Sequence, residues 1–106
     1  MAKFMYQNRF TQSGLQGAIK EGFAKREPYI RQLFESLGGK IEAVYWTYGE
    51  DDIVLIVDLP DAAAAVAVSL AVNSSGALQV RTTPLLTTAE MDAAVAKMPQ
   101  FRPPGQ

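Results

Sequence analysis

A run of five consecutive apolar residues, residues 53–57, constrains the fold of this chain more than any other feature. Four of the five are Val or Ile, whose β-branched side chains favour a strand. Successive side chains of a strand point to opposite faces of the sheet, so a continuously apolar strand needs cover on both faces. The run therefore predicts a central strand with apolar contacts on each side of the sheet.

Alternating or apolar segments predict three further strands: residues 3–10, 39–48 and 78–85. Lys40 and Glu42 make the second of these strands polar, and Pro84 removes a ladder donor from the last one. Both features are typical of edge strands. Within the second strand, strict alternation predicts that Ile41 and Tyr45 share one face.

Four apolar residues follow the i, i+3, i+4, i+7 spacing of one helix face: Ile30, Leu33, Phe34 and Leu37. Pro28 suits the first turn of that helix because its missing N–H has no helical partner there, and Gly38 suits a left-handed stop. The helix is therefore expected to begin near Pro28, or as far back as Gln16. The stretch that contains Gly14 and Gly17 is predicted to be rich in turns.

Two more helices are predicted in the second half of the chain. Asp61 can cap a helix that begins at the end of the third strand, and Thr87 and Glu90 have the spacing of a capping box for a short helix. The last residues contain three prolines and are expected to be non-helical. We therefore expect a single domain over residues 1–98 and a Pro-rich tail over residues 99–106.

The order strand, helix, strand, strand, helix, strand predicts an α+β, ferredoxin-like fold. In that topology an antiparallel sheet carries both helices on one face, with the first and third strands central. The short last helix is too small to cover the other face. We expect the same face of a second copy to cover it, since closed two-fold contacts are the commonest oligomer form. The alternative is a monomer whose bare face is made tolerable by Trp46 and tyrosines at the water boundary.

The residue types that the chain lacks exclude whole classes of function. It has no cysteine and no histidine, which removes disulfides, thiolate nucleophiles, Cys/His zinc sites and the commonest general base. The net charge of −1 gives no positive field for nucleic acid. No apolar run resembles a signal peptide or approaches the ~20 residues that cross a bilayer, so we expect a cytoplasmic protein without a membrane partner.

The acidic sequence from Glu50 to Asp52 lacks the spaced ligands of a calcium loop, so it predicts a solvated turn rather than a metal site. No cofactor is expected. A binding or catalytic site must then use the remaining polar and aromatic side chains on the strands and their connections: Tyr6, Asn8, Tyr45, Trp46, Tyr48, Asp52 and Arg81. Each also has a structural interpretation. The aromatic rings can pack in the core or an interface, and Arg81 can pair with Glu42, Glu50 or Asp52. Asp52 can anchor its turn through backbone N–H groups.

Five segments together resemble the GYD domain family: residues 11–15, 35–42, 45–52, 58–61 and 80–83. The similarity extends from Lys3 to about Glu90. It implies a ferredoxin-like fold of the dimeric α/β-barrel type, in small, mostly bacterial proteins whose biochemical role is largely unassigned. Two positions depart from the family pattern: Asp51 stands where a tyrosine is expected, and Phe10 replaces a tryptophan near the end of the first strand.

Three functional hypotheses follow. The first is a self-associating small-molecule binding module, a homodimer or higher homo-oligomer with tyrosines and Trp46 around a pocket near the subunit interface. The alternative is a cofactor-independent oxygenase or isomerase of the dimeric α/β-barrel type, acting on a small organic substrate, so whether the chain is an enzyme stays open. The third is a purely structural oligomer. An enclosed pocket of about 300 Å³ or more, with Tyr, Asp or Arg side chains converging inside, favours a substrate site.

Overall fold

A computed structural model describes all residues from 1 to 106. The elements in chain order are β1 (Ala2–Phe10), α1 (Gln12–Glu21), α2 (Phe23–Glu35), β2 (Lys40–Trp46), β3 (Ile53–Leu59), α3 (Ala62–Ser74), β4 (Leu78–Leu85) and α4 (Thr88–Ala96). The strands form one antiparallel sheet in the order β2-β3-β1-β4. The fold is therefore α+β and ferredoxin-like, as predicted, with β1 and β3 central and the polar strand and the proline-containing strand at the edges.

The core lies between the sheet and α2 and α3. Alternate residues of β3, from Ile53 to Leu59, are buried on the helix-covered face. On β1, the Tyr6 ring meets Phe34 of α2 edge to face, with the ring centroids 5.2 Å apart. The side chains of Val54 and Ile56 point to the opposite face, where they are only partly buried. We call this opposite side of the sheet the open face.

The prediction that Ile41 and Tyr45 share a face is wrong because β2 contains an irregularity between Ile41 and Ala43. Ile41 pairs with Val57 and is buried on the helix side, whereas Tyr45 pairs with Val54 on the open face. A β-bulge inserts one unpaired residue and so reverses the alternation that follows it. The bulge thereby turns Trp46 toward the helices.

The turn-rich stretch predicted around Gly14 is instead the helix α1, whose N-cap Thr11 accepts a hydrogen bond from the Gly14 N–H. A Cβ atom at Gly14 would lie 1.8 Å from the carbonyl oxygen of Ala77, so this glycine permits a close approach rather than a turn. Gly22 has φ 99° and separates α1 from α2. The next helix therefore begins at Phe23, and Pro28 lies inside it rather than in its first turn.

The two later helices have the predicted caps. The Asp61 side chain accepts a hydrogen bond from the Ala64 N–H at 2.8 Å. Thr87 and Glu90 form the reciprocal capping box of α4. None of the residues of α4 is buried. No helix in the chain combines the length and the apolar character needed to cross a membrane.

The two glycines of α1 allow a matched test of its packing. Gly14→Ala is expected to lower the free energy of unfolding by roughly 1–3 kcal/mol, because the new methyl group must displace the backbone at Ala77. Gly17→Ala meets no atom within 4 Å and should raise stability by about 0.5–1 kcal/mol through better helix propensity. Urea denaturation of both variants checks this, and equal effects of the two substitutions would contradict the close packing of α1.

Candidate binding site

The end of the sheet near Phe10 is held together by Asp52. Its carboxylate accepts a hydrogen bond from the Phe10 N–H at 2.8 Å, and its own N–H donates to the Asn8 carbonyl at 2.8 Å. The Thr47 N–H in turn donates to the Asp52 carbonyl at 2.8 Å. Asp52 therefore connects β1 to the β2–β3 hairpin, which fits the anchoring role considered for it from the sequence.

An aromatic group lies beside this anchor. The rings of Phe10 and Trp46 are nearly parallel, with their centroids 6.4 Å apart, and Phe23 meets Trp46 edge to face at 4.7 Å. Together with Leu15, Thr47 and Asp52 these rings line a cleft of about 290 Å³. We call it the Trp46 cleft. Its volume is close to that expected of a substrate site, but the cleft is open to solvent rather than enclosed.

Two further spaces lie nearby under α1 and α2. A groove of about 250 Å³ runs along α1 and includes Phe10, Arg26 and Leu78 in its lining. A smaller space of about 40 Å³, which we call the inner cavity, lies between α2, α3 and the sheet. Tyr6, Asn8, Arg26 and Leu78 are among its lining residues. The groove therefore shares Phe10 with the Trp46 cleft, and Arg26 and Leu78 with the inner cavity.

Tyr6 and Asn8 are both buried on β1 but differ in their hydrogen bonding. The Tyr6 hydroxyl donates to the carbonyl of Ala65 in α3 at 2.7 Å, and the side chain is 1% exposed. Burial raises the pKa of this phenol above its ordinary value of 10.0, against smaller opposing effects of hydroxyl groups of Ser69 and Thr82. Asn8 is 5% exposed, and no protein group accepts a hydrogen bond from its Nδ2 atom.

The other sequence candidates lie away from the Trp46 cleft. Tyr45 is largely exposed on the open face, and Tyr48 is fully exposed in the β2–β3 connection. Arg81 forms a salt bridge of 2.7 Å with Asp51, which also accepts a hydrogen bond from Gln7. Arg81 therefore pairs with Asp51, whereas the partners considered from the sequence were Glu42, Glu50 and Asp52. Trp46 and Asp52 line the Trp46 cleft, whereas Tyr6 and Asn8 line the inner cavity.

Lys3, also on the open face, has two acidic partners. Lys3 donates to Glu42 and to Asp58, and these hydrogen bonds raise the pKa of its ammonium group. No group of three or more acidic side chains is arranged so that it could hold a metal ion. Two carboxylates of the acidic turn have protein partners: Asp51 pairs with Arg81, and Asp52 accepts a hydrogen bond from the Phe10 N–H.

Sequence reasoning missed the residues that α1 and α2 contribute to this region: Leu15, Phe23 and Arg26. The sequence predicts turns around Gly14 and Gly17 and a helix that begins between Gln16 and Pro28, and it offers none of these three residues as a site candidate. Thr11, which precedes Gln12 as a helix N-cap, is the sequence signal for α1 and therefore for Leu15. Phe23 and Arg26 lie on α2, which has no side-chain cap to mark its start. Phe10, noted only as a departure from a family pattern, is the residue that the cleft and the groove share.

The family model described as the GYD domain matches residues 4–95. The chain belongs to the GYD domain family. No curated protein and no solved structure matches it significantly. Within this GYD domain the two departures noted from the sequence have defined surroundings: Asp51 pairs with Arg81, and Phe10 stacks on Trp46. The GYD domain therefore contains an ion pair and a phenyl ring at the two positions where a tyrosine and a tryptophan were expected.

Tyr6→Phe is expected to lower the free energy of unfolding by about 1 kcal/mol at neutral pH, through loss of the hydrogen bond to Ala65. The raised pKa means that the unfolded chain releases the phenolic proton first as the pH rises. The stabilisation is therefore complete below pH ~10 and is lost as the pH rises through the folded-state pKa.

Urea denaturation of wild type and Tyr6→Phe between neutral pH and pH ~11 checks this assignment. The variant should lose less stability than the wild type over the alkaline part of this range. Identical alkaline losses in the two proteins would mean that Tyr6 is not the protected phenol.

Proposed function

We propose that the protein is a self-associating module that binds a small organic molecule in the Trp46 cleft. The single observation that carries this proposal is the cleft itself, about 290 Å³ of space between aromatic side chains and one carboxylate. Small-molecule sites begin at about 300 Å³ and are mostly apolar with a few polar groups. The aromatic lining favours a planar, largely apolar ligand, and Asp52 offers an acceptor at its edge.

Binding is favoured over catalysis because the candidate catalytic groups already have structural partners. The Tyr6 hydroxyl is hydrogen-bonded to Ala65, and the Asp52 carboxylate is hydrogen-bonded to the Phe10 N–H. Arg81 lies on the open face in its ion pair with Asp51. A general acid or base must reach the substrate proton directly or through one water, and these groups do not converge on one point of the cleft.

Self-association is supported by the uncovered apolar surface of the open face. Val54 and Ile56 of the central strand β3 are only partly buried there, and the Tyr45 ring beside them is 68% exposed. Large exposed apolar patches mark interaction surfaces. In the proposed two-fold contact, this patch would meet the same patch of a second copy.

A second uncovered surface lies at the C-terminus, in residues 86–101, which we call the C-terminal arm. Met91 and Val95 lie one helical turn apart on α4, and Met98 follows shortly after the helix ends. The arm exposes five apolar side chains by more than half: Leu86, Met91, Val95, Met98 and Phe101. The radius of gyration is 17.0 Å, against about 13 Å for a compact chain of this length. An arm that extends from the domain fits a role in holding a second copy.

The available area matches what a dimer needs. Four strands spaced about 4.8 Å apart, each about seven residues long, give the open face roughly 400 Å². Burying one apolar side chain of the arm stabilises the dimer by about 2 kcal/mol. At about 25 cal/mol per Å², this energy corresponds to about 80 Å² of buried apolar surface for each side chain. The five side chains add on the order of 400 Å² to the sheet. The total per copy approaches the ~800 Å² of a standard interface.

The ligand proposal is tested by thermal shift across a panel of aromatic metabolites, combined with the fluorescence of Trp46, the single tryptophan of the chain. A ligand at about 100 times its Kd stabilises by about 2.7 kcal/mol, which raises Tm by roughly 10 °C. Trp46→Ala should abolish the shift, and Tyr48→Ala, at a fully exposed position, should retain it. Retention of the shift by Trp46→Ala would place the ligand elsewhere.

The self-association proposal predicts a mass twice the 11.5 kDa of the chain in size-exclusion chromatography with light scattering. Ile56→Lys on the open face and Val95→Lys on the arm should each shift the protein toward the monomer, because both bury a charge in the interface. Leu70→Lys, on the exposed side of α3, is the matched control and should remain dimeric. A monomeric wild type at micromolar concentration contradicts the proposal, and disruption by Leu70→Lys alone would place the interface on α3.

A further inference from the structure

The Nδ2 atom of Asn8 is buried and has no hydrogen-bond partner in the protein. It is the one buried side-chain polar atom of the chain in this position. A buried donor without an acceptor is destabilising, and such groups are rare in folded proteins. Each such group has a specific explanation, such as a catalytic role or a bound ligand, water or ion. Its neighbour on the same face of β1, Tyr6, is fully buried yet satisfied by Ala65, so burial on this strand does not by itself prevent pairing.

The surroundings of Asn8 are apolar except for one cation. Nine of the eleven residues that line the inner cavity are hydrophobic, and the two others are Asn8 and Arg26. Arg26 is partly buried in the first turns of α2, and none of the four salt bridges of the chain involves it. Both of these polar side chains offer N–H donors to the cavity, and no carboxylate is among its lining residues.

Resting on the binding function proposed above, we infer that the ligand has an apolar body with a carbonyl or carboxylate group. An oxygen of that group enters the inner cavity and accepts a hydrogen bond from Asn8 Nδ2. The cavity, about 40 Å³, has room for one such polar group and not for a ring. Arg26 contributes a second donor and a positive charge beside the same space.

The apolar body of the ligand has room in the adjoining spaces. The groove shares Arg26 and Leu78 with the inner cavity, and it shares Phe10 with the Trp46 cleft. A molecule with its oxygen in the cavity can therefore place its ring beside Phe10, which stacks on Trp46. This arrangement selects against hydrocarbons of the same shape, because a site with unpaired donors discriminates strongly against a ligand that lacks the acceptor.

The experiment uses acetophenone and ethylbenzene, two probes of nearly the same shape that differ in one carbonyl oxygen. Each is titrated into ¹⁵N-labelled full-length protein, and two side-chain signals are followed: the single indole N–H of Trp46 and the Nδ2 amide pair of Asn8. Acetophenone is expected to shift both signals and to bind at least tenfold more tightly than ethylbenzene. Benzoate serves as the charged probe, and Arg26→Met should weaken benzoate more than acetophenone.

Asn8→Leu supplies the matched variant, since leucine has nearly the shape of asparagine without the unpaired donor. Ligand-free Asn8→Leu is expected to melt about 5 °C above the wild type, whereas its preference for acetophenone over ethylbenzene should disappear. If Tm falls instead, Asn8 Nδ2 has a hydrogen-bond partner in the ligand-free protein and the premise of the inference is wrong.

The two signals separate the possible failures. A shift of Trp46 without a shift of Asn8, or equal affinity for both probes, overturns the inference and leaves the binding function standing. Absence of any shift at Trp46 with all three probes contradicts binding in the Trp46 cleft. A lower Tm for ligand-free Asn8→Leu than for the wild type overturns the inference, whatever the Trp46 signal does.

Discussion

The antiparallel pairing of β1 with β3 at the centre of the sheet is the constraint on which the rest of the structure depends. It brings Tyr6 opposite Leu55, so that the buried residues of both strands form one surface for α2 and α3. The same register directs Val54 and Ile56 to the other face. Because β-strand side chains alternate, the pairing that builds the core also creates the uncovered face. The core and the proposed interface therefore lie on the two opposite faces of the same pair of strands.

The candidate binding site lies where this central pair ends. Asp52 fixes the end of β1 through Phe10, and the bulge in β2 turns Trp46 to the same side. Gly22 breaks the preceding helix so that Phe23 reaches the indole ring. Several local departures from regular structure therefore meet at one end of the sheet. Irregular backbone features of this kind are common at functional sites, where they direct side chains into positions that regular structure would not allow.

The accuracy of the sequence predictions varied from element to element for physical reasons. β4, α3 and α4 followed from composition, Asp61 and the Thr87 capping box, because their signals are local. α1 was missed because Gly14 favours a turn by propensity, and only the contact with Ala77 explains a glycine there. The faces of β2 were misassigned because a bulge has no unique sequence signature. Of the site candidates, Trp46 and Asp52 line the Trp46 cleft and Tyr6 and Asn8 line the inner cavity, while Tyr45 and Arg81 lie on the other face.

The sequence by itself determined the class of fold, because apolar periodicity and capping residues act over a few neighbouring positions. The order of the strands follows from that fold, and the motifs of the chain carried its resemblance to the GYD domain family. The sequence also determined that any chemistry here proceeds without histidine or cysteine. Only the tertiary structure decided that Asn8 Nδ2 is buried without a partner and that Arg26 lies beside the same cavity. Hydrogen-bond satisfaction depends on groups that are distant in sequence, and it becomes defined once the helices pack on the sheet.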